Sequence, residues 1–305
     1  MSNKIESNTS LVKEPIVVYF ILAIGLTWIF WIPTLVISTT YGYFVPSVFS
    51  INSIFNEGFK DLNHIIVYFI NQFGVYGPFL AAIITLLLFN RKNDLKNLFK
   101  EIIKWNVDVK WYLIILLIPI FINLGCLGLA AIFMADLTLA FNAGLSFPMI
   151  IILIIINLLT SGMEEPGWRG FAVSELIKDY SAYKASIIIG LIWSIWHFPY
   201  VFYYNLIELG SGLYLTFLAI AGFTAITTFG SIIYSWIYVN TKSLLILILF
   251  HTLQNIVPLL IMGGVVDPLG GLSTAIFTLV LMFIILKKYG ETTLKGGKED
   301  IEKNG

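Results

Sequence analysis

Long apolar runs separated by short polar or charged joints set the pattern of this chain. A helix that crosses a bilayer needs about 20 apolar residues to span roughly 30 Å of hydrocarbon. Stretches of that kind lie at 15–38, 71–90, 111–134, from Phe147 toward Glu164, and at 185–204, 212–239, 243–262 and 269–286. The segment 43–70 is mildly apolar and aromatic but broken by Asn, Ser and Gly, and reads as interfacial or re-entrant. The pattern predicts an all-α, polytopic membrane bundle of about eight transmembrane helices.

The charges give this bundle a direction. With the N-terminus inside, every one of the 18 Lys and Arg residues except Lys60 falls on the same side. Inward loops carry the excess of Lys and Arg, so both termini are expected to be cytoplasmic and the protein to be a multi-pass component of the cell membrane. The loop 90–110 is basic and amphipathic. It is expected either to lie on the anionic inner leaflet or to form a solvated connecting helix. Residues 1–14 are polar and lack the apolar core and small-residue cleavage site of a signal peptide, so the first run is expected to be a retained helix. The residues after 288 are polar and rich in Gly, Lys and Glu, which predicts a disordered cytoplasmic tail over 289–305. The chain then divides into a tail 1–14, N-terminal helices over 15–140, a core over 145–265, a last span over 266–288 and the final tail.

Composition narrows the class further. The chain is 58% hydrophobic and 12% charged, with mean hydropathy +0.88. A soluble domain carries roughly 25% charge, so a water-facing globular fold is excluded. A net charge of +0 gives no sign of a nucleic-acid partner, and the expected surroundings are the lipid bilayer. Cys126 is the one cysteine, which removes an intramolecular disulfide framework and a cysteine-based zinc site.

Against this background the polar residues inside the spans carry the information, because an ionisable side chain in hydrocarbon is costly and is a functional candidate by default. They are Glu164, Glu165 and Arg169 in LLTSGMEEPGWRGF, His197 in IIGLIWSIWHFPY, and His251 and Asn255 in LILFHTLQNIVPLL. Two of the three histidines are among them, and His64 looks incidental. At 1.5 Å per residue, His197 and Asn255 lie about 18 Å into their runs and His251 about 12 Å, near mid-membrane. Glu164 lies about 24 Å from Pro148, nearer the cytoplasmic side. His251 and Asn255 share a helix face at i, i+4. Glu165 and Arg169 have the same spacing with the acid first, the favoured order for a helical ion pair. Glu164 is left without a local partner. Pro166 removes a backbone donor and clashes with the carbonyl of Gly162, so a kink is expected there.

A carboxylate and an imidazole can together activate water. A second imidazole and an amide can donate hydrogen bonds to a developing oxyanion. The set thus points to amide hydrolysis without a covalent intermediate. Two His with one or two Glu are also enough to ligate zinc, although no HExxH is present. Ser161, Ser194 and Cys126 lie in no nucleophile motif. A proton-relay transporter would use similar residues, but its halves would be expected to repeat, and no repeat is visible. A non-catalytic immunity factor or scaffold of the same architecture is a further alternative.

Three stretches together carry a family resemblance: Glu164 to Gly170 (EEPGWRG), Trp193 to His197 (WSIWH) and His251 to Asn255 (HTLQN). In this order and membrane context they resemble the EExxxR, FxxxH and HxxxN motifs of the CAAX protease and bacteriocin-processing (Abi) family of intramembrane glutamic endopeptidases. The resemblance covers roughly 145–265 together with the eight-span layout. It implies that Glu164 activates the water, His197 orients it, His251 and Asn255 stabilise the oxyanion, and Glu165 and Arg169 support the site, with no cofactor and no metal. Trp193 stands where the family has Phe. It keeps an aromatic wall and is expected to narrow the cavity and alter substrate choice. The resemblance also implies a peptide or membrane-protein substrate. The Ile-, Lys- and Asn-rich composition favours a peptide, a bacteriocin leader or a membrane-protein tail over a prenylated CAAX protein.

Overall fold

A computed structural model describes residues 14–45, 57–133, 146–262 and 268–296. The regular elements among the described residues are all helical, with helices α1 (Pro15–Tyr41), α2 (Leu62–Gly74), α3 (Gly77–Leu88), α4 (Lys92–Ile102), α5 (Val109–Phe133), α6 (Phe147–Leu159), α7 (Ser174–Leu176), α8 (Ala182–Tyr203), α9 (Gly212–Thr241), α10 (Leu244–Met262) and α11 (Pro268–Tyr289). Seven helical stretches are long and apolar enough to cross a membrane, and the count becomes eight if α2 and α3 form one bent span. All-helical architecture follows from the solvent, since lipid leaves backbone groups no partner outside the segment itself.

The second span differs from the expectation. The sequence pattern starts it at residue 71 and leaves 43–70 outside the helices, yet α2 begins at Leu62 and meets α3 at a 50° bend. Asp61 caps α2 by accepting from the His64 backbone N–H at 2.8 Å. The bend falls where Gly74, Gly77 and Pro78 interrupt the ladder, and side chains of α1 cover the freed groups. Thr27 donates to the Gly74 carbonyl at 2.8 Å, and Trp31 donates to the Asn71 carbonyl at 3.0 Å. Asn71 in turn donates to Thr34 at 2.8 Å. The polar positions that make this stretch look non-helical are thus the ones that bind it to α1. His64 packs parallel to Tyr43 in a separate aromatic cluster, apart from the other two histidines.

The longest interface pairs α8 with α9, and α9 continues onto α11, while α10 packs on α5. Gly190 is the point of closest approach in the first pair, since a Cβ there would lie 2.5 Å from Thr228 Cα. Small residues of this kind let membrane helices meet backbone to backbone. At the basic end, α4 forms within the predicted loop 90–110 and buries Leu98. Arg91 binds Asp94 and Glu175, each at 2.7 Å, which ties the start of α4 to α7. Residues 290–296 depart from the expected disordered tail. Leu294 is fully buried, its carbonyl accepts from Asn240 at 2.9 Å, and Thr292 accepts from the Ala182 N–H at 2.8 Å. The tails 1–13 and 297–305 lie outside the described residues.

Gly190→Val should force α8 and α9 apart and cost about 1–3 kcal/mol of stability. Gly222→Val on α9, where an added Cβ meets nothing within 4 Å, should be neutral or stabilising. Thermal unfolding of the two variants in detergent checks the contrast.

Candidate active site

The fourth span is irregular beside its two glutamates. After α6 ends at Leu159 the chain passes through a 3-10 turn, Ser161–Glu164, and a π-helix, Pro166–Val173, before α7. The kink expected at Pro166 is therefore spread over two changes of helical pitch. Tyr76 covers the chain end of α6 by donating to the Leu159 carbonyl. Gly162 allows the 3-10 turn to press on α10, because a Cβ there would lie 2.7 Å from Ile248 Cγ2. Irregular pitch of this type is tolerated at membrane depth only where protein surrounds it, and π turns concentrate at functional sites.

This switch sends the adjacent glutamates to different partners. Glu165 is fully buried and accepts from Arg169 Nη1 at 3.1 Å on Oε1, with the same nitrogen 3.0 Å from Oε2. Oε1 also lies 2.8 Å from His251 Nδ1. The Arg169 guanidinium is clamped between the Trp193 and Tyr234 rings, 4.4 Å from each centroid, and donates to Ser231 Oγ at 3.4 Å. Desolvated cation–π contacts contribute about 2 kcal/mol, so the two rings take over part of the solvation that a buried cation loses.

Glu164 is 3% exposed, and its Oε2 accepts from the Trp193 indole N–H at 2.8 Å. Trp193 is the common neighbour of the site. Its ring centroid lies 5.6 Å from that of His197 and 5.7 Å from that of His251. His197 is half-buried, with Nδ1 2.9 Å from the Trp193 carbonyl oxygen and Trp196 edge-on at 4.4 Å. A carbonyl can only accept, so Nδ1 carries a proton, and in the neutral ring Nε2 presents a lone pair.

Asn255 lies one turn beyond His251 on α10 but has a different partner. Its Nδ2 donates to Asn157 Oδ1 at 2.9 Å, and Asn157 Nδ2 donates to the Leu153 carbonyl at 2.9 Å. The structure thus joins Glu165, Arg169 and His251 by direct bonds, joins Glu164 to Trp193, and brings His197 to the same indole. Asn157, Ser231 and Tyr234 escaped the sequence reading. Asn157 had a signal, a lone amide within IIILIIINLL, whereas nothing local marks Tyr234.

Among the described residues no group of three or more His, Cys, Asp and Glu is placed to share an ion. The Glu165 and Glu164 oxygens nearest the imidazole and the indole are already taken by hydrogen bonds.

Fold and site define a multi-pass helical membrane protein with acid, imidazole, guanidinium and amide groups gathered between its helices. The type II CAAX prenyl endopeptidase Rce1-like family matches residues 145–257, which include every site residue named above. CAAX prenyl protease 2 of Methanococcus maripaludis is 32% identical over 191 residues, covering 60% of this chain and 69% of that protein. The chain belongs to the Rce1-like type II CAAX prenyl endopeptidase family, the CAAX protease and bacteriocin-processing (Abi) group. Membership implies a peptidase with a peptide substrate.

Arg169→Met removes one partner of a buried ion pair and should destabilise the protein by about 3–5 kcal/mol. Adding Glu165→Gln should restore part of that loss, because no buried carboxylate is then left short of its cation. Unfolding of the single and double variants in detergent measures the coupling.

Proposed function

We propose that this protein is an intramembrane endopeptidase of the cell membrane, in which Glu164 activates the water that attacks a peptide carbonyl. The observation that supports it most is the convergence on Trp193. One indole donates to Glu164, its own carbonyl fixes the His197 tautomer, and its ring face holds the Arg169 cation.

In this reading Trp193 occupies Oε2 of Glu164 and leaves Oε1 to the water, while the Nε2 lone pair of His197 accepts the second water hydrogen bond. The water proton passes to Glu164 as the oxygen adds to the carbonyl carbon. His251 is anchored through Nδ1, so in its protonated form it offers Nε2–H to the oxyanion. Asn255 offers the second N–H of its amide, the first being held by Asn157. The carbon–nitrogen bond then breaks and Glu164 returns its proton to the leaving amine. Glu165 and Arg169 touch no reacting atom; they orient His251 and Trp193. The substrate in this reading is a peptide or the tail of a membrane protein, and the name of the Methanococcus relative brings prenylated CAAX peptides into the test.

Purified protein in detergent or liposomes, offered a quenched peptide library that includes prenylated CAAX peptides, provides the assay. Glu164→Gln should lower kcat by at least about 10²–10⁴, and a chelator should leave the wild-type rate unchanged. Trp193→Phe keeps the ring and removes the donor, so its loss should be smaller and fall on kcat. Cleavage that survives Glu164→Gln, or that stops with chelator, would sink the mechanism.

A further inference from the structure

At the Lys-rich end of the bundle, away from the buried cluster, α4 ends at Ile102 and α5 begins at Val109, close to the corner where α9 ends at Thr241 and α10 begins at Leu244. A cavity of about 460 Å³ lies between them, lined by Lys100, Glu101, Lys104, Trp105, Asn106 and Lys242 among others. Its size is within the roughly 300–1,000 Å³ of small-molecule sites. The walls are cross-braced. Lys104 Nζ donates to the Thr241 carbonyl at 2.9 Å, and Ser243 Oγ donates to the Lys104 carbonyl at 2.5 Å. Lys242 stands in the left-handed region at φ 48° and lays its ammonium group 4.4 Å from the Tyr238 ring centroid.

The charge here is out of balance. Three lysines line the cavity against the single carboxylate of Glu101, which already accepts from Tyr238 Oη at 2.8 Å. Burial pushes the Glu101 carboxyl above the ordinary carboxylate range. Burial, with the neighbouring ammonium groups of Lys295 and Lys104, holds the Lys242 amine below the ordinary lysine range against the pull of Glu101. An anion in the cavity would relieve that repulsion. The rim names the source of the anion. Ile103 and Trp105 are 72% and 73% exposed in the connection between α4 and α5, and Val109, 71% exposed, begins the candidate span that follows. Exposed Trp and aliphatic side chains beside lysines mark the membrane–water interface. A free phosphate would use the lysines and leave this rim idle.

We infer that the corner formed by α4, the 103–108 connection and the α9–α10 junction binds the headgroup of an anionic phospholipid, whose chains run down past Trp105 and Val109. Basic pockets between span ends recognise anionic headgroups by this combination of lysines and apolar flanks.

The test uses the full chain purified in a neutral detergent, with its Tm followed on adding phosphatidylglycerol, phosphatidylcholine or inorganic phosphate. Phosphatidylglycerol should raise Tm by about 5 °C, while phosphatidylcholine and phosphate should not. The shift should vanish in Lys100→Gln/Lys242→Asn, where Asn tolerates the left-handed backbone. It should persist in Lys100→Arg/Lys242→Arg and in Lys287→Gln/Lys288→Gln, which removes equal charge elsewhere. If the neutral pair does not fold, the exposed single variant Lys100→Gln should still lose at least half of the shift. Equal shifts with both lipids, or an undiminished shift in the neutral variants, would overturn the inference. Phosphate acting as well as phosphatidylglycerol would overturn the lipid and assign the corner to a soluble anion.

Discussion

A guanidinium inside an apolar bundle needs partners for its charge and its faces, and Arg169 sets that requirement for the rest of the core. Its charge is met by Glu165 from the same segment, its two faces by Trp193 of α8 and Tyr234 of α9, and one edge by Ser231. Glu165 then reaches α10 through His251. Each of the three following spans is held to the fourth by a contact to this cation or its counter-ion. The desolvation of such a pair is not recovered by its Coulomb attraction alone. The rings and the imidazole are therefore part of the pair's stability and not decoration around it.

With Glu165 committed to structure, Glu164 is released for another use. Two glutamates adjacent in an ordinary helix point about 100° apart; here the chain passes from a 3-10 turn to a π-helix at Glu165, and the two acids take different partners. One acid is sealed among charges and the other has an indole as its partner. The outer wall behind His197 comes from α1. Trp28 donates to the Trp196 carbonyl at 3.0 Å, and Trp196 donates to Thr27 at 2.6 Å. The same Thr27 covers the break between α2 and α3, so the first helix supports both the bent span and the imidazole.

Hydropathy made most of the spans legible, because in lipid the length of an apolar run and its helical state are nearly the same fact. It failed for α2, where Asn71 and Gly74 look like loop residues until α1 supplies their partners. It failed again at Leu294, which is buried and whose carbonyl is held by Asn240, distant in sequence. At the site, the Glu165–Arg169 pair was readable from spacing. The third member, His251, is 86 residues away and no local pattern could join it to Glu165. Trp193 was readable as a wall, but its N–H became informative only once Glu164 lay 2.8 Å away. Asn157 was visible as a lone amide and acquired meaning from Asn255 across the interface.

The π-helix Pro166–Val173 also governs how this protein can change length over time. A π turn holds one residue more than the α turn it replaces. Deleting a single residue there would let the backbone relax into a regular α-helix with the flanking turns near their present phase, while the residues inside the stretch would shift by about 100° against their partners. Arg169 would leave its slot between the two rings. The connections at the ends of the spans can gain or lose residues without such a penalty. This stretch is a fixed-count segment, where a change of length pulls Arg169 away from its partners and substitution is the gentler route of variation.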